Sequence, residues 1–486
     1  MHTRIAIIGT GFAGIGAAIR LREAGIDDFV MIERSGGVGG TWRDNHYPAC
    51  ACDVPARLYS FSFAQDAGWM HSFAGHAEIL GYLERLVYAR RLRPFIRFNE
   101  TVEAARWDPA TMRWTITTSQ NTRTASVLVL ATGPLSEPSV PDLPGLSSFE
   151  GTTFHSADWN HGYDLRGKRV AVIGTGASAI QFVPQIQPLV RALSLFQRTP
   201  PWVIPRRNRS YSERERAMFR AVPPLQRIVR GAMYVVRELS FLPFRHPALA
   251  RVAERLASRH LARQVADFAL RAKLTPTYSI GCKRILISDD YFPAITQPNV
   301  ELVTDGIAEI VSDAVVSGDG TVRPIDAIIF ATGFYATDPP LAPFVFGRGG
   351  RSLRDAWTPS MRAFASTTVS GFPNLFVIPG PNSGLGHTSL IYMIESQIAH
   401  MMSVLRHMER ESIAAIEPSA DAQRQYVSWV DERMRGTVWT TGKCASWYLD
   451  ATGRNSTLWP DFTFRFRRRV ATMRAKDYVT VPDSGS

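Results

Sequence analysis

The chain has 486 residues, 45% of them hydrophobic and 20% charged, with a formal net charge of +12. Such a length allows roughly two to four domains around a large core, and the composition is that of a globular protein. Four cysteines, at 50, 52, 282 and 444, are too few for a disulfide framework and carry no zinc-site spacing, so the chain reads as metal-free and cytoplasmic.

The apolar start, Met1 to Ile8, leads straight into a glycine turn and reads as a buried strand, not a signal peptide. In "IAIIGTGFAGIGAAIRLREAG" an apolar strand (Ile5 to Ile8) is followed by Gly9, Gly11 and Gly14 and then by a helical pattern. Gly9 permits the tight turn, Gly11 lets the backbone approach a pyrophosphate, and Gly14 allows helix and strand to pack closely. Glu33 ends the next apolar stretch, where a carboxylate accepts hydrogen bonds from ribose hydroxyls. Downstream, Cys50 and Cys52 are separated by one residue, too close for an easy bridge, and read as small buried side chains in place of a thiol relay.

The same turn recurs 165 residues later, in "RVAVIGTGASA", with Gly174, Gly176 and the permitted variant Ala179. Its partner residue differs. Glu33 lies 24 positions after Gly9, and 24 positions after Gly174 stands Arg198. A carboxylate repels a 2′-phosphate, whereas a guanidinium grips one with two charge-assisted hydrogen bonds. The first site therefore suits a free ribose and the second NADP, which makes electron transfer from NADPH to FAD the obvious pairing. Two "ATG" segments, Ala131 to Gly133 and Ala331 to Gly333, each end an apolar strand and mark crossings between domains.

Nearly all the excess positive charge lies between Arg206 and Lys273, with 15 Arg and one Lys against five acids. Leu249, Val252 and Leu256, then Leu261, Val265 and Phe268, have helical spacing, so the segment reads as a helical insert docked by that apolar face. Its basic face reads as solvated surface or as the flank of an anionic-cofactor site, ahead of contact with acidic lipid headgroups; without interleaved aromatics, nucleic acid is disfavoured. The longest uncharged stretch, Phe376 to Ile394, is broken by Gly and Pro, so no spanning helix is expected. Nearer the C-terminus, "NLFVIPGPNSGLGHTS" reads as strand, turn and helix start, and "FTFRFRRRV" as an edge strand.

"GGTW", "YPxxxCD" ending at Asp53, "FQRTPPWVIPR", "GCKR" and Phe149, Gly151, His155 and Trp159 in F-x-G-x-x-x-H-x-x-x-W together resemble the class B flavoprotein monooxygenases of the Baeyer–Villiger type. The resemblance runs from Ile5 to about Pro460; it departs after Trp159, where Asn160 and His161 replace the usual Pro or Asp. It implies a FAD- and NADPH-dependent monooxygenase that uses O2 to convert a neutral ketone to an ester or lactone through a C4a-peroxyflavin, with sulfoxidation as a second activity. An N- or S-oxygenating flavin monooxygenase is the alternative, and a cofactor-binding partner or sensor protein is a third reading. The resemblance gives Arg284 the role of stabilising the peroxide, Asp53 that of holding Arg284, and Lys283 a share of the 2′-phosphate with Arg198. It also implies a structural or hinge role for His155, backbone N–H groups near Gly386 directed at the flavin, and Trp447 near the nicotinamide. Further cofactor contacts are expected at Gly40, Thr41, Trp42, Tyr59, Ser178, Gln181 and Thr199. The fold expected is α/β, with two Rossmann-like domains: FAD in 1–145 and 366–486, and NADP in 146–365 with the insert at about 206–273.

Overall fold

The computed structural model describes residues 1–482. An eight-stranded sheet organises the N-terminal part. At its centre His2–Ile8 runs parallel to both Phe29–Ile32 and Thr122–Leu130, with Ile5 opposite Phe29 and Val127. All four residues of Phe29–Ile32 are buried, as in a parallel strand covered on both faces. On one face the helix Phe12–Glu23 is enclosed between the sheet and the long helix Leu390–Arg410. The opposite face packs Trp107, Trp114, Leu128 and Leu130 against Val345, Leu353 and Trp357.

Thr122–Leu130 has two partners on one side. Its first half pairs antiparallel with Arg113–Thr118, and its last three residues pair parallel with Leu375–Val377. The late segment thus re-enters the first sheet, and it does so before residue 366. Val345–Phe346 already pairs with Ala105 and Arg106, and Ala342, Leu353 and Met361 belong to that sheet's core. The boundary follows apolar burial, which resumes soon after the second ATG segment.

The second sheet has five strands, all parallel, in the order Val300–Val303, Ala192–Phe196, Arg169–Ile173, Ala327–Phe330, Thr152–His155. The two ATG segments occupy equivalent places in the two sheets. Ala131 N donates to Ile8 O and Ala331 N to Ile173 O, each at 2.8 Å. Their carbonyls then underlie the first glycine of each turn: a Cβ on Gly9 would lie 2.7 Å from Ala131 O, and one on Gly174 2.6 Å from Ala331 O.

The insert leaves the second unit through a two-stranded neck, Val203–Ile204 parallel to Leu286–Ile287. Between them run the helices Glu213–Ala221, Pro223–Leu239, Pro247–Gln264 and Phe268–Lys273. The expected docking face is corrected here. Leu261 and Val265 are buried, but Leu249, Val252, Leu256 and Phe268 are exposed. Pro247–Gln264 docks through Ala250, Ala257 and Leu261, a second stripe at helical spacing whose small residues permit close approach and leave the larger side chains outside.

Two further expectations are corrected. "FTFRFRRRV" forms the helix Thr463–Val470, with Thr463, Phe466 and Val470 buried at steps of three and four and Arg467 to Arg469 in the last turn, where cations favour the helix dipole. The two-stranded ribbon at this end is Ile413–Pro418 with Tyr478–Pro482. Cys282 and Cys444, 162 residues apart, form a disulfide with Cα atoms 6.2 Å apart. Only the tertiary fold brings them together, so sequence spacing gave no sign of it. Cys50 and Cys52 are free and buried.

Thiol titration under denaturing, non-reducing conditions should therefore find two reactive cysteines; four would refute the bridge. Gly14→Ala places a methyl inside the van der Waals radius of Gly9 O and should destabilise the protein by about 2–3 kcal/mol. A wild-type melting temperature for that variant would show that the strand–helix contact is looser than described.

Candidate functional site

In the first turn Gly9 has φ +102°, where glycine is favoured. Gly11 and Gly40, from different loops, face each other as bare backbone: a Cβ on Gly40 (φ +51°) would lie 3.2 Å from Gly11 Cα. The slot lies at the N-terminus of Phe12–Glu23, where backbone N–H groups and the helix dipole favour an anion such as a pyrophosphate. Glu33 is buried at the end of its strand. Its Oε2 accepts from Thr10 N (3.0 Å) and Thr10 Oγ1 (2.7 Å), and its Oε1 from Ser35 N (2.9 Å). A carboxylate has about four lone-pair positions, so a ribose hydroxyl can still donate to it. Adjoining it, a cavity of about 550 Å³ is lined by Arg34, Ser35, Arg43, Ser136, Pro138 and Phe334. The bare glycines, the fixed acid and this cavity fit a dinucleotide such as FAD.

Thr41 starts the short helix Thr41–Asp44, and Trp42 Nε1 donates to Tyr59 Oη at 3.1 Å, their rings edge to face. Behind them burial pushes the Cys50 thiol up to about 12 and raises that of Cys52 further. Both thiols stay protonated at neutral pH and unsuited to a thiolate relay.

In the second turn Gly174 has φ +107° and Gly176 is open. Ser178 precedes the helix Ala179–Ile186 at its N-cap position without a side-chain capping bond. Gln181 is spent within the protein. Its Oε1 accepts from Tyr47 Oη and Ala51 N, both at 3.1 Å, and its Nε2 donates to Ala51 O at 3.0 Å. It clamps the second unit to the loop that carries Asp53, a role that its position in the glycine motif did not signal. Arg198 is exposed at the end of Ala192–Phe196, with Thr199 beside it. Lys283 approaches it from the far side of the insert. Burial and the Arg198 charge both lower the Lys283 pKa, and among the described residues no acid balances the pair. Two neighbouring cations without an acidic partner are chemically suited to an anion such as a phosphate.

Lys283 is followed by Arg284, which reaches Asp53 across the two units. Nε donates to Oδ2 and Nη2 to Oδ1, each at 2.7 Å. Asp53 holds the Arg284 guanidinium ionised, its pKa well above the ordinary arginine value despite burial. Nη1 keeps both of its donors, and a third of the side chain remains accessible. No sequence motif signals Tyr448, whose buried hydroxyl lies beside Arg284 and Asp53. It adjoins Trp447, which is exposed and packs on Tyr448 with the rings tilted by 53°. Arg237, from the insert, has its pKa lowered by burial, and the Asp53 charge opposes that shift.

The F-x-G-x-x-x-H-x-x-x-W segment is packing. Gly151 lies so close to Phe149 and Asp326 O that a Cβ would clash. Trp159 wedges between Phe154 and Phe182, with centroids at 5.2 and 5.0 Å. His155 Nδ1 accepts from Ala157 N, and burial lowers the imidazole pKa. His161, where the family pattern departs, stacks on His46 of the first unit, with ring nitrogens 2.8 Å apart. Gly386 lies against Phe244 of the insert, and the adjacent buried His387 is 3.4 Å from Glu238.

With this geometry in place, the comparisons are specific. Residues 2–345 match the flavin-binding monooxygenase-like family. A Baeyer–Villiger monooxygenase of Streptomyces coelicolor is 51% identical over 98% of this chain and 92% of its own. The crystal structure of cyclohexanone monooxygenase from Rhodococcus sp. Phi1 bound to NADP+ superposes with a TM-score of 0.89 at 28% identity, covering 99% of this chain and all of the other. The structure of OTEMO in complex with FAD and NADP gives a TM-score of 0.89 at 26% identity over 99% of each chain.

Arg198→Ala should weaken NADPH relative to NADH by about tenfold or more, the loss of one charge-assisted phosphate contact. An unchanged coenzyme preference would move the phosphate site elsewhere.

Proposed function

The chain belongs to the flavin-binding monooxygenase-like family, and on that premise we propose that it is a Baeyer–Villiger monooxygenase. The reaction is ketone, O2, NADPH and a proton giving ester or lactone, NADP+ and water. The observation that carries this reading is the Arg284–Asp53 fork, a fixed cation with unspent donors where the two dinucleotide units meet.

FAD reduced by NADPH supplies the activation of dioxygen. The protein's own groups bind, orient and neutralise. Gly9, Gly11 and Gly40 would leave backbone against the FAD pyrophosphate, with Gly14 letting the helix pack close beneath it, and Glu33 would take the ribose. Gly174 and Gly176 serve the second dinucleotide likewise, and Arg198 and Lys283 hold its 2′-phosphate. Asp53 spends Nε and Nη2 of Arg284, which fixes the guanidinium plane and aims Nη1 at the space beside it. Negative charge that develops on oxygen there meets a donor that needs no reorganisation and cannot lose its proton at working pH. Tyr448 Oη, beside Arg284, would be a second donor. His155, Trp159 and Gln181 position the units and do not touch the reacting atoms.

Arg284→Ala should still be reduced by NADPH yet form ester from a ketone about a hundredfold more slowly or worse. Ester formation at the wild-type rate would remove Arg284 from the mechanism. Wild-type enzyme that yields only sulfoxide or hydroxylamine would instead assign it to heteroatom oxidation.

A further inference from the structure

The insert helix Pro223–Leu239 is turned inside out. Its inner stripe is Gln226, Arg230, Tyr234 and Glu238, four polar residues at steps of four, and each is hydrogen-bonded to the body of the protein. Gln226 Nε2 donates to Asp66 O (2.9 Å), Arg230 Nη2 to Ser60 O (2.9 Å), Tyr234 Oη pairs with Thr463 Oγ1 (2.9 Å), and Glu238 accepts from Thr463 N (2.9 Å) and Oγ1 (2.6 Å). The outer face carries Ile228, Val235, Val236 and Leu239, between 55% and 68% exposed. A surface helix of a globular protein normally has the opposite polarity. Pro247–Gln264, the next helix of the insert, also exposes apolar residues, with Leu249, Val252 and Leu256 at 42% to 57%.

The exposed charge along this stretch is mostly basic. From Val222 to Asp267 the exposed charged residues are Arg227, Arg251, Arg255, Arg259, Arg263 and Asp267, the last capping its own helix at Leu270 N. The two other acids of the stretch point inward, Glu238 to Thr463 and Glu254 to Ile280 N at 3.0 Å. Nearer the start of the insert Arg209 is paired with Glu215, and Arg216 and Arg220 with Glu213. Thr463, the joint with Glu238, begins the basic helix Thr463–Val470, which adds exposed Phe464 and Arg468.

We propose that this face docks onto the surface of an anionic lipid bilayer, with the Pro223–Leu239 helix lying in the interface plane. Apolar side chains enter the acyl boundary while flanking arginines, with long stems and charged heads, meet the phosphates. The charge argues against a second copy of the chain, because a two-fold contact through this face sets arginine against arginine. No described helix is long and apolar enough to cross a membrane, so the contact is peripheral. The inference is independent of the reaction chemistry, but it gives apolar ketones dissolved in lipid a short path to the enzyme.

The test is flotation of the FAD-loaded full chain with vesicles of phosphatidylcholine alone or mixed with phosphatidylglycerol. Binding should require phosphatidylglycerol and weaken as salt is raised. Ile228→Ser/Val235→Ser/Val236→Ser/Leu239→Ser should lower the bound fraction about fivefold or more while flavin content and turnover of a water-soluble ketone stay unchanged. Arg251→Gln/Arg255→Gln/Arg259→Gln should do the same, and it decides the matter alone if the serine variant loses its flavin. Wild-type protein that stays with neither vesicle overturns the proposal, as do variants that float like wild type. A wild-type dimer in sedimentation that the serine variant converts to monomer would assign the face to a second copy instead.

Discussion

The structure depends on holding one cation across a gap between two units. Arg284 belongs to the second unit's sequence and Asp53 to the first, so their bidentate contact exists only while both units keep their relative placement. Two restraints act within two residues of it. Gln181 clamps Ala51 on the carboxylate side, and the Cys282–Cys444 bond ties down the guanidinium side. Losing one partner of a well-buried pair costs about 3–5 kcal/mol through the unpaired charge left behind. Here both side chains keep some solvent contact, which reduces that penalty and leaves the free donors of Arg284 accessible to a reactant.

The repeated glycine turn is one solution to one problem, the approach of a doubly anionic pyrophosphate to a backbone. The two copies share even the ATG carbonyl beneath the first glycine. They diverge at the strand that follows, where the groups decide which ribose is accepted. Glu33 is buried and held by Thr10 and Ser35, a rigid acceptor with capacity left for one more donor. Arg198 is exposed, and its charge helps to lower the pKa of a second cation, Lys283. The difference between the two copies is thus one of charge on a backbone that does not distinguish them.

Much of this was legible in sequence because it is local. The glycines, the apolar strands and the spacing from Gly9 to Glu33 and from Gly174 to Arg198 all lie within about 25 residues, and the wider family pattern brought in Asp53, Lys283 and Arg284. What was not legible depends on distant contacts. Cys282 meets Cys444 only after both units fold. Pro247–Gln264 carries two helical stripes, and the sequence does not say that Ala250 and Ala257 win over Leu249, Val252 and Leu256. Phe464 and Phe466 alternate with arginines, which fits a strand until Phe466 is seen packed edge to face on Trp459. Gln181 and Tyr448 act through what the tertiary structure places opposite them.

The strand Thr122–Leu130 sets an order of assembly during synthesis. Its last three residues present an open edge until Leu375–Val377 has been translated, and the helix Phe12–Glu23 lacks its outer cover until Leu390–Arg410 has followed. The five parallel strands of the second unit, by contrast, all lie between Thr152 and Phe330. The domain encoded in the middle can therefore close on the ribosome first, while the one that begins the chain waits, with exposed backbone that invites chaperones or mispairing, for the C-terminal third to emerge.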